Sequence, residues 1–186
     1  MLLRAEAQFE LAQRVREGSA TIGEIFAFIS GLYFRGKVAY VSAFAAAPEG
    51  VPAGVIIVSG LGLVPLDTRV SVDQLRAISQ VPIHHENKEY LGPLLRDAKM
   101  LDEHAGPDCR YVLLGSIATE KYTRPLLDVF GDRLLFPEAF VGRGDMSRGG
   151  LMLRCARTAE ELKYVPVANA VRHGARPPRL EKWRKP

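Results

Sequence analysis

The segment from Phe140 to Gly150, FVGRGDMSRGG, has the composition of a site that binds an anion. Four glycines, two arginines, an aspartate and a serine fall within eleven residues. Glycines let a ligand approach the backbone, and the planar guanidinium of arginine recognises phosphate or carboxylate through paired hydrogen bonds. A structural hairpin would need a glycine or two, but not Arg143 and Arg148 as well. We therefore expect Arg143, Ser147 and Arg148 to bind a ligand, and Asp145 to act as a base or an electrostatic stabiliser.

A second candidate loop, GSIATEK, leads from an apolar run straight into a helical pattern. Free amides at a helix N-terminus, together with Ser116, Thr119 and Lys121, would form an anion cradle. The spacing is neither that of a P-loop nor GxGxxG. A strand-to-helix turn capped by serine or threonine explains the same residues and stays open as the alternative.

The third candidate loop, SGLGLVPLDT, follows the run GVIIV. Its glycines allow a ligand to approach Ser59 and Gly60, and Asp67 could accept a proton. A tight turn in which Asp67 binds its own backbone is the alternative. We expect Asp67 or Asp145 to be the catalytic carboxylate if the protein is an enzyme.

The histidines give no metal set. His84 and His85 are adjacent, so on a strand they would point to opposite faces, and no zinc or hydrolase motif is present. We expect no metal, and the sequence leaves the cofactor open.

Short apolar runs alternating with helical patterns predict the fold. Continuous apolar runs that end in glycine are typical of strands covered on both faces, and capping boxes at Thr21 and Ser71 mark helix starts. We expect an α/β fold with a mostly parallel central sheet, helices on both faces and an extra N-terminal helical layer. Helices are predicted over 4–17, 21–30, 37–47, 72–79, 87–104 and 119–130, and strands over 54–58, 110–114, 134–136, 151–155 and 164–167.

The basic C-terminal end suggests a class of partner. The formal net charge is +4 over 186 residues, and the chain from Arg172 onward carries six cations against Glu181 alone. Such a tail attracts phosphate backbones, although a solvated arm is the alternative. We expect one domain over 1–186 with a basic tail from about 172, and an anionic ligand or nucleic acid as partner.

Composition also bears on the compartment. Cys109 and Cys155 lack a CxxC pair, as expected for free thiols in a reducing compartment. No run is long enough for a signal or a membrane span, so a cytoplasmic protein with no membrane partner is predicted. The oligomeric state stays open.

The middle of the chain resembles bacterial YaaA-like and related uncharacterised proteins. The segments GLYFRGKVAYVSAFA, VIIVSGLGLVPLDTRV and YVLLGSIATEKYTRPLL carry the resemblance. The matching positions are Leu32, Tyr33, Gly62, Leu63, Pro65 and Asp67. Where such proteins carry a cysteine or lysine at the strand-loop turn, this chain has Ser59 and Gly60. The resemblance implies an association with nucleic acid or modified bases.

Three functions follow as hypotheses. The first is a protein that binds a nucleotide, a nucleobase or a nucleic-acid phosphate, with an enzymatic role left open. The second is an enzyme acting on a small anionic metabolite through the same residues. The third is a non-catalytic interaction module that docks a protein or RNA through the glycine-rich loop and the basic tail.

Overall fold

Helices make up about half of the protein. In a computed structural model, which describes residues 2–4 and 6–181, 51% of these residues are helical and 11% are in strands. The α-helices of this part are α1 (Glu10–Arg16), α2 (Ile22–Phe44), α3 (Val72–Gln80), α4 (Lys88–Ala105), α5 (Glu120–Phe130) and α6 (Asp145–Thr158). Short 3-10 turns cover Gly131–Arg133, Glu138–Phe140 and Val167–Asn169.

The strands form two small sheets. They are β1 (Val55–Val58), β2 (Gly62–Pro65), β3 (Tyr111–Val112), β4 (Leu134–Pro137) and β5 (Tyr164–Pro166). β1 and β2 form an antiparallel hairpin in which Val55 lies opposite Pro65. The second sheet has the order β3-β4-β5, with β4 parallel to β3 and antiparallel to β5.

The predicted parallel central sheet is therefore wrong. The runs 54–58 and 110–114 were expected to be neighbouring or near-neighbouring parallel strands of one sheet, but β1 and β3 belong to different sheets. Gly60 and Gly62 adopt φ values of 77° and 92°, and this turn folds the chain back into an antiparallel partner instead of a crossover helix. A continuous apolar run can pair in either direction, so its pattern did not distinguish the two.

The predicted strand over 151–155 is also wrong, because these residues lie in α6. The four glycines of 140–150 suggested a loop, yet the helix already begins at Asp145 and runs through Gly149 and Gly150. The predicted helices over 21–30 and 37–47 are parts of α2, which bends at Gly31 (φ 55°, ψ −130°). The first helix begins only at Glu10.

Local capping predictions are confirmed. Thr21 and Ser71 each form a reciprocal capping box with the residue three positions on, and Asn87 accepts a hydrogen bond from the N–H of Glu89. These bonds close within three residues, so they depend little on the rest of the fold. The strands predicted over 134–136 and 164–167 are confirmed as β4 and β5.

The buried side chains form two clusters that both include residues of α2. Ile22 and Ile25 pack with Val58 and Val70 in the first cluster. Tyr40 belongs to the second, which contains these further buried residues of α4, β4 and α6: Leu94, Phe136 and Met152. α2 therefore links the hairpin side of the molecule to the three-stranded sheet.

Helices α2 and α6 touch backbone to backbone. A Cβ atom at Gly36 would lie 2.6 Å from the carbonyl oxygen of Gly149, and one at Gly149 would lie 2.7 Å from that of Leu32. Only glycine permits so close an approach. The contact brings residues 33–37 of α2 against the first turns of α6. None of the helices in 2–4 and 6–181 is both long and apolar enough to cross a membrane.

Candidate functional site

A lysine and a tyrosine lie one helical turn apart beside this helix contact. Tyr33 and Lys37 are separated by four positions on α2, so their side chains share one face. The Nζ atom of Lys37 lies 4.2 Å from the ring centroid of Tyr33 and 5.9 Å from that of Phe34. The amine is partly buried and rests on aromatic surface, which is an unusual place for a lysine.

The facing part of α6 contributes Asp145 and Arg148. The Nε of Arg148 donates to the carbonyl oxygen of Phe140 at 3.2 Å, and its guanidinium carbon lies 5.6 Å from that ring. These contacts orient the guanidinium, which also has a side-chain hydrogen bond with the hydroxyl of Tyr33.

The pKa of Lys37 depends on its burial and on two charges of α6. Burial lowers the pKa of Lys37 to about 8; Asp145 opposes this shift and the positive charge of Arg148 adds to it. Burial also raises the pKa of Tyr33, while Arg148 acts in the opposite direction. Among the described residues neither Lys37 nor Arg148 forms an ion pair. The site thus combines the buried amine of Lys37 with the electrostatic effects of Asp145 and Arg148.

The start of α6 adds to the positive character of the site. Gly144 is the N-cap residue and supplies no side-chain hydrogen bond to the first-turn N–H groups. Such N–H groups and the helix dipole favour a negative charge. Asp145 is exposed in this first turn, where its carboxylate acts electrostatically on both Lys37 and Tyr33.

The loop after β3 contacts Tyr33. The hydroxyl of Tyr33 donates to the carbonyl oxygen of Leu114 at 3.2 Å, which joins α2 to this loop. Ser116 follows two residues later, and its Oγ accepts from the N–H of Ala118 at 3.3 Å. Thr119 is the N-cap of α5 but its side chain caps no N–H group. The loop therefore begins at the site, and Ser116 is already engaged in its own turn.

Lys121 lies in the first turn of α5. Its Nζ lies 4.9 Å from the ring centroid of Tyr122, whose phenol acts electrostatically on Tyr33. The main chain at this point is fixed, since the hydroxyl of the buried Tyr90 donates to the carbonyl oxygen of Lys121. A ligand role for Ser116, Thr119 and Lys121 stays a prediction.

Arg143 has mainly intramolecular partners. Its Nε donates to the carbonyl oxygen of Ala139 at 2.9 Å, and its Nη1 donates to Ser147 Oγ at 3.2 Å and to the carbonyl oxygen of Pro178 at 3.4 Å. The side chain thus ties the start of α6 to the C-terminal segment. Ligand binding by Arg143 and Ser147 remains a prediction, whereas Arg148 lies in the cluster with Lys37.

The loop after β1 makes its contacts elsewhere. Ser59 is buried and its Oγ donates to the carbonyl oxygen of Val81 at 2.7 Å, while a Cβ at Gly60 would meet Val81 at 3.1 Å. Asp67 lies in the turn after β2, which is joined to the start of α2 by the hydrogen bond from Gly23 N–H to the carbonyl of Leu66. These contacts join the loop to Val81 and to the start of α2, and the site roles of Ser59, Gly60 and Asp67 stay predictions.

Three polar side chains lie close together in the loop before α4. His84, His85 and Glu86 bring one ligand atom each within 4.8 Å of one another, which the expectation of opposite-facing histidines missed. They lie in a loop before α4, where Glu86 N–H donates to Nδ1 of His84.

An open groove of about 600 Å³ lies beside β4 and β5. Its charged side chains include Arg133 and Lys163, which are paired with Asp102 and Glu138. Arg133 and Lys163 therefore already have carboxylate partners, and Arg110 also lines the groove.

Sequence reasoning missed Lys37 and Tyr33. The run from 37 to 47 was interpreted as a buried apolar helix, and Lys37 was treated as its first residue. The available signal was a single lysine at the head of that apolar run, next to a glycine that permits close packing. This pattern indicates a binding site only once it is known that α6 packs against this part of α2.

Comparisons with family models, with curated proteins and with solved structures find no match to this chain. The chemistry of the site is therefore argued from its own residues, and the resemblance to YaaA-like proteins stays a prediction.

Proposed function

We propose that the protein binds a phosphate-bearing ligand, a nucleotide or a nucleic-acid phosphate, at the cluster of Tyr33, Lys37 and Arg148. The observation that carries this proposal is the buried amine of Lys37, which forms no ion pair among residues 2–4 and 6–181 and on which both Asp145 and Arg148 act electrostatically. A buried cation near a second cation is stabilised by an anion that contacts it. A phosphate group satisfies both cations and the uncapped start of α6.

The C-terminal segment supports a polyanionic ligand. Residues 172–181 run beside the start of α6, where a Cβ at Gly142 would overlap the carbonyl of Ala175 and Arg143 donates to Pro178. Arg176 and Arg179 are exposed in this segment. A phosphate backbone seated at Lys37 and Arg148 could continue along these arginines. The remaining tail cations at 182–186 lie outside the described residues.

The affinity for oligonucleotides tests the proposal. We expect labelled single-stranded and duplex DNA and RNA, titrated in fluorescence anisotropy, to bind with strong salt dependence. Arg148→Ala and Lys37→Met should each weaken binding by about tenfold, since a charge-assisted contact contributes roughly 1.5–3 kcal/mol. Arg76→Ala is the matched control, because this exposed arginine on α3 pairs with Asp73.

The other two hypotheses predict different outcomes. Binding of inorganic phosphate or ATP that depends on Lys37 and Arg148, without oligonucleotide binding, would replace the nucleic-acid partner by a small anionic metabolite. Binding of none of these anions would overturn the proposal and favour an interaction module.

We also propose a reducing, cytoplasmic setting. Cys109 and Cys155 are free thiols, and burial raises the pKa of the Cys155 thiol, which makes it unreactive.

A further inference from the structure

Two histidines and a glutamate share one turn immediately before α4. The N–H of Asn87 donates to the carbonyl oxygen of His84 at 3.0 Å, which closes a turn with His85 and Glu86 at its centre. The side-chain amide of Asn87 also donates to the carbonyl oxygen of Pro82 at 2.8 Å, and its Oδ1 caps the helix. The start of α4 therefore fixes the main chain that carries the three side chains. Adjacent side chains point to opposite faces of a strand, but a turn does not impose this alternation.

The three side chains of this turn bring their ligand atoms together. One ligand atom from each of His84, His85 and Glu86 lies within 4.8 Å of the other two. Nδ1 of His84 is 3.9 Å from Oε2 of Glu86, and the two imidazole rings have their centroids 4.4 Å apart. Around a tetrahedral zinc ion, with bonds of about 2.0–2.2 Å, ligand atoms are roughly 3.3 Å apart. The separations must shorten by about 1.5 Å at most, which rotation of the exposed His84 and Glu86 side chains provides.

The chemistry of this donor set suits a metal ion. Neutral imidazoles and an ionised carboxylate offer electron pairs and bring no cation with them. Among residues 2–4 and 6–181, the carboxylate of Glu86 has an ion-pair contact only with His84, and this pair is charged only when the imidazole is protonated. Nδ1 of His84 accepts a long hydrogen bond of 3.3 Å from the N–H of Glu86, and a metal bound at Nδ1 would replace it. Two imidazoles and one carboxylate are a common ligand set for zinc.

We propose that His84, His85 and Glu86 bind a Zn²⁺ ion. Three protein ligands leave a coordination position for water or for a further ligand, as in zinc sites that are not purely structural. The proposal replaces the expectation from the sequence that the chain binds no metal. It does not depend on the proposed phosphate binding, because the two sites share no residue.

Calorimetric titration of the full chain with zinc chloride tests the proposal, in a buffer without chelating groups and with a phosphine reductant. We expect one zinc ion per chain. His84→Ala and His85→Ala should each weaken this binding by at least about tenfold, since even the loss of a group that only orients a metal ligand commonly costs that much. Glu86→Gln should weaken it as well, because a neutral amide is a poorer ligand than a carboxylate. Magnesium chloride should not compete, since Mg²⁺ prefers oxygen ligands.

Two matched controls remove similar groups outside the turn. Glu89→Gln changes an exposed carboxylate in the first turn of α4, and His104→Ala removes a histidine whose Nδ1 is hydrogen-bonded to the carbonyl oxygen of Met100 at 2.6 Å. Both variants should bind zinc like the wild type.

Nuclear magnetic resonance of the unaltered chain gives a second measurement that needs no variant. One equivalent of zinc chloride should shift the imidazole signals of His84 and His85 together and leave those of His104 in place. The absence of zinc binding, or binding that is equally strong in the wild type and in all three variants of the turn, would overturn the proposal. Zinc binding that is lost only in Cys109→Ser would also overturn it, because the ion would then lie at that thiol.

Discussion

The carbonyl oxygen of Gly149 in α6 lies 2.6 Å from the position that a Cβ at Gly36 of α2 would take, which is too close for any residue other than glycine. This contact lets the two helices approach closely, and Arg148 of α6 acts electrostatically on Lys37 of α2. The backbone packing and the electrostatics of the site are therefore one property of the structure.

We predict that Gly149→Ala destabilises the protein by about 1–3 kcal/mol, the usual cost of forcing extra atoms into a packed interface. The added methyl group would lie 2.7 Å from the carbonyl oxygen of Leu32 and 2.8 Å from the Cα of Tyr33. Urea denaturation measures the change. Gly150→Ala is the control on the same helix, because its Cβ meets only a methyl of Leu180 at 3.5 Å.

The control should be neutral or slightly stabilising, since alanine is the better helix former. Equal destabilisation by both substitutions would show that the glycine content of α6, and not its contact with α2, limits stability.

Lys37→Met should stabilise the protein at pH 7 by about 1 kcal/mol, because functional sites commonly sacrifice stability of this order. The wild-type pKa of Lys37 is lowered to about 8 from 10.5. Between these values the unfolded chain binds more protons than the folded one, so wild-type stability rises with pH there. The advantage of the methionine variant should shrink from pH 8 to 10.5 in urea titrations. The control is Lys163→Met, which should change stability little at any pH because Lys163 is exposed. If the gain from Lys37→Met does not depend on pH, it comes from better packing and not from the lowered pKa of Lys37.

Glu24→Gln should weaken the fold at neutral pH and lose its effect in acid. Arg14 binds both carboxylate oxygens of Glu24, at 2.6 and 2.8 Å, and with the N–H of Thr21 it lowers the pKa of Glu24 to about 2. A lowered carboxyl pKa contributes stability above the unfolded value of 4.5, and that contribution is lost as the pH falls toward 2.

Urea midpoints of wild type and Glu24→Gln, measured from pH 7 to pH 2.5, should therefore converge below about pH 4. Asp73→Asn, which removes an exposed partner of Arg76, is the control and should show a smaller change. A gap at pH 2.5 as large as the gap at pH 7 would mean that the amide disturbs the capping box itself.

Deleting residues 179–186 should weaken nucleic-acid binding and flatten its salt dependence. Each lost phosphate contact lowers the slope of log affinity against log salt by about one. Leu180 packs beside Gly150, and Arg154 donates to the carbonyl oxygen of Glu181, so the deletion also removes packing on α6. Arg179→Gln combined with glutamines at the three cations of 182–186 keeps the chain length and serves as the matched variant. If affinity and slope are unchanged in both variants, the tail serves solubility or packing.

Local hydrogen bonds made part of the fold predictable. The starts of α2, α3 and α4 follow from Thr21, Ser71 and Asn87, since each side chain caps an amide two or three residues away. Such bonds form within one turn and require no distant partner. Arg148 was likewise recognisable as a ligand candidate from its glycine-rich surroundings, although its role remains to be tested.

Strand pairing was not predictable in the same way. An apolar strand is stabilised by burying its side chains against any suitable neighbour, and the sequence of β1 does not specify which strand it pairs with. Its antiparallel partner follows from the positive φ angles of Gly60 and Gly62, which turn the chain back on itself. The apolar run at 151–155 belongs to a helix because Gly149 packs against α2, a contact with no local pattern.

The sequence by itself determined the helix caps, the apolar segments and the basic, glycine-rich segments that suit an anion. Only the tertiary structure decided that Arg148 acts electrostatically on Lys37. The two residues are far apart in the chain, and their helices approach closely because neither Gly36 nor Gly149 has a side chain to hold the helices apart. A close approach of this kind depends on both helices at once, so neither segment alone could reveal it.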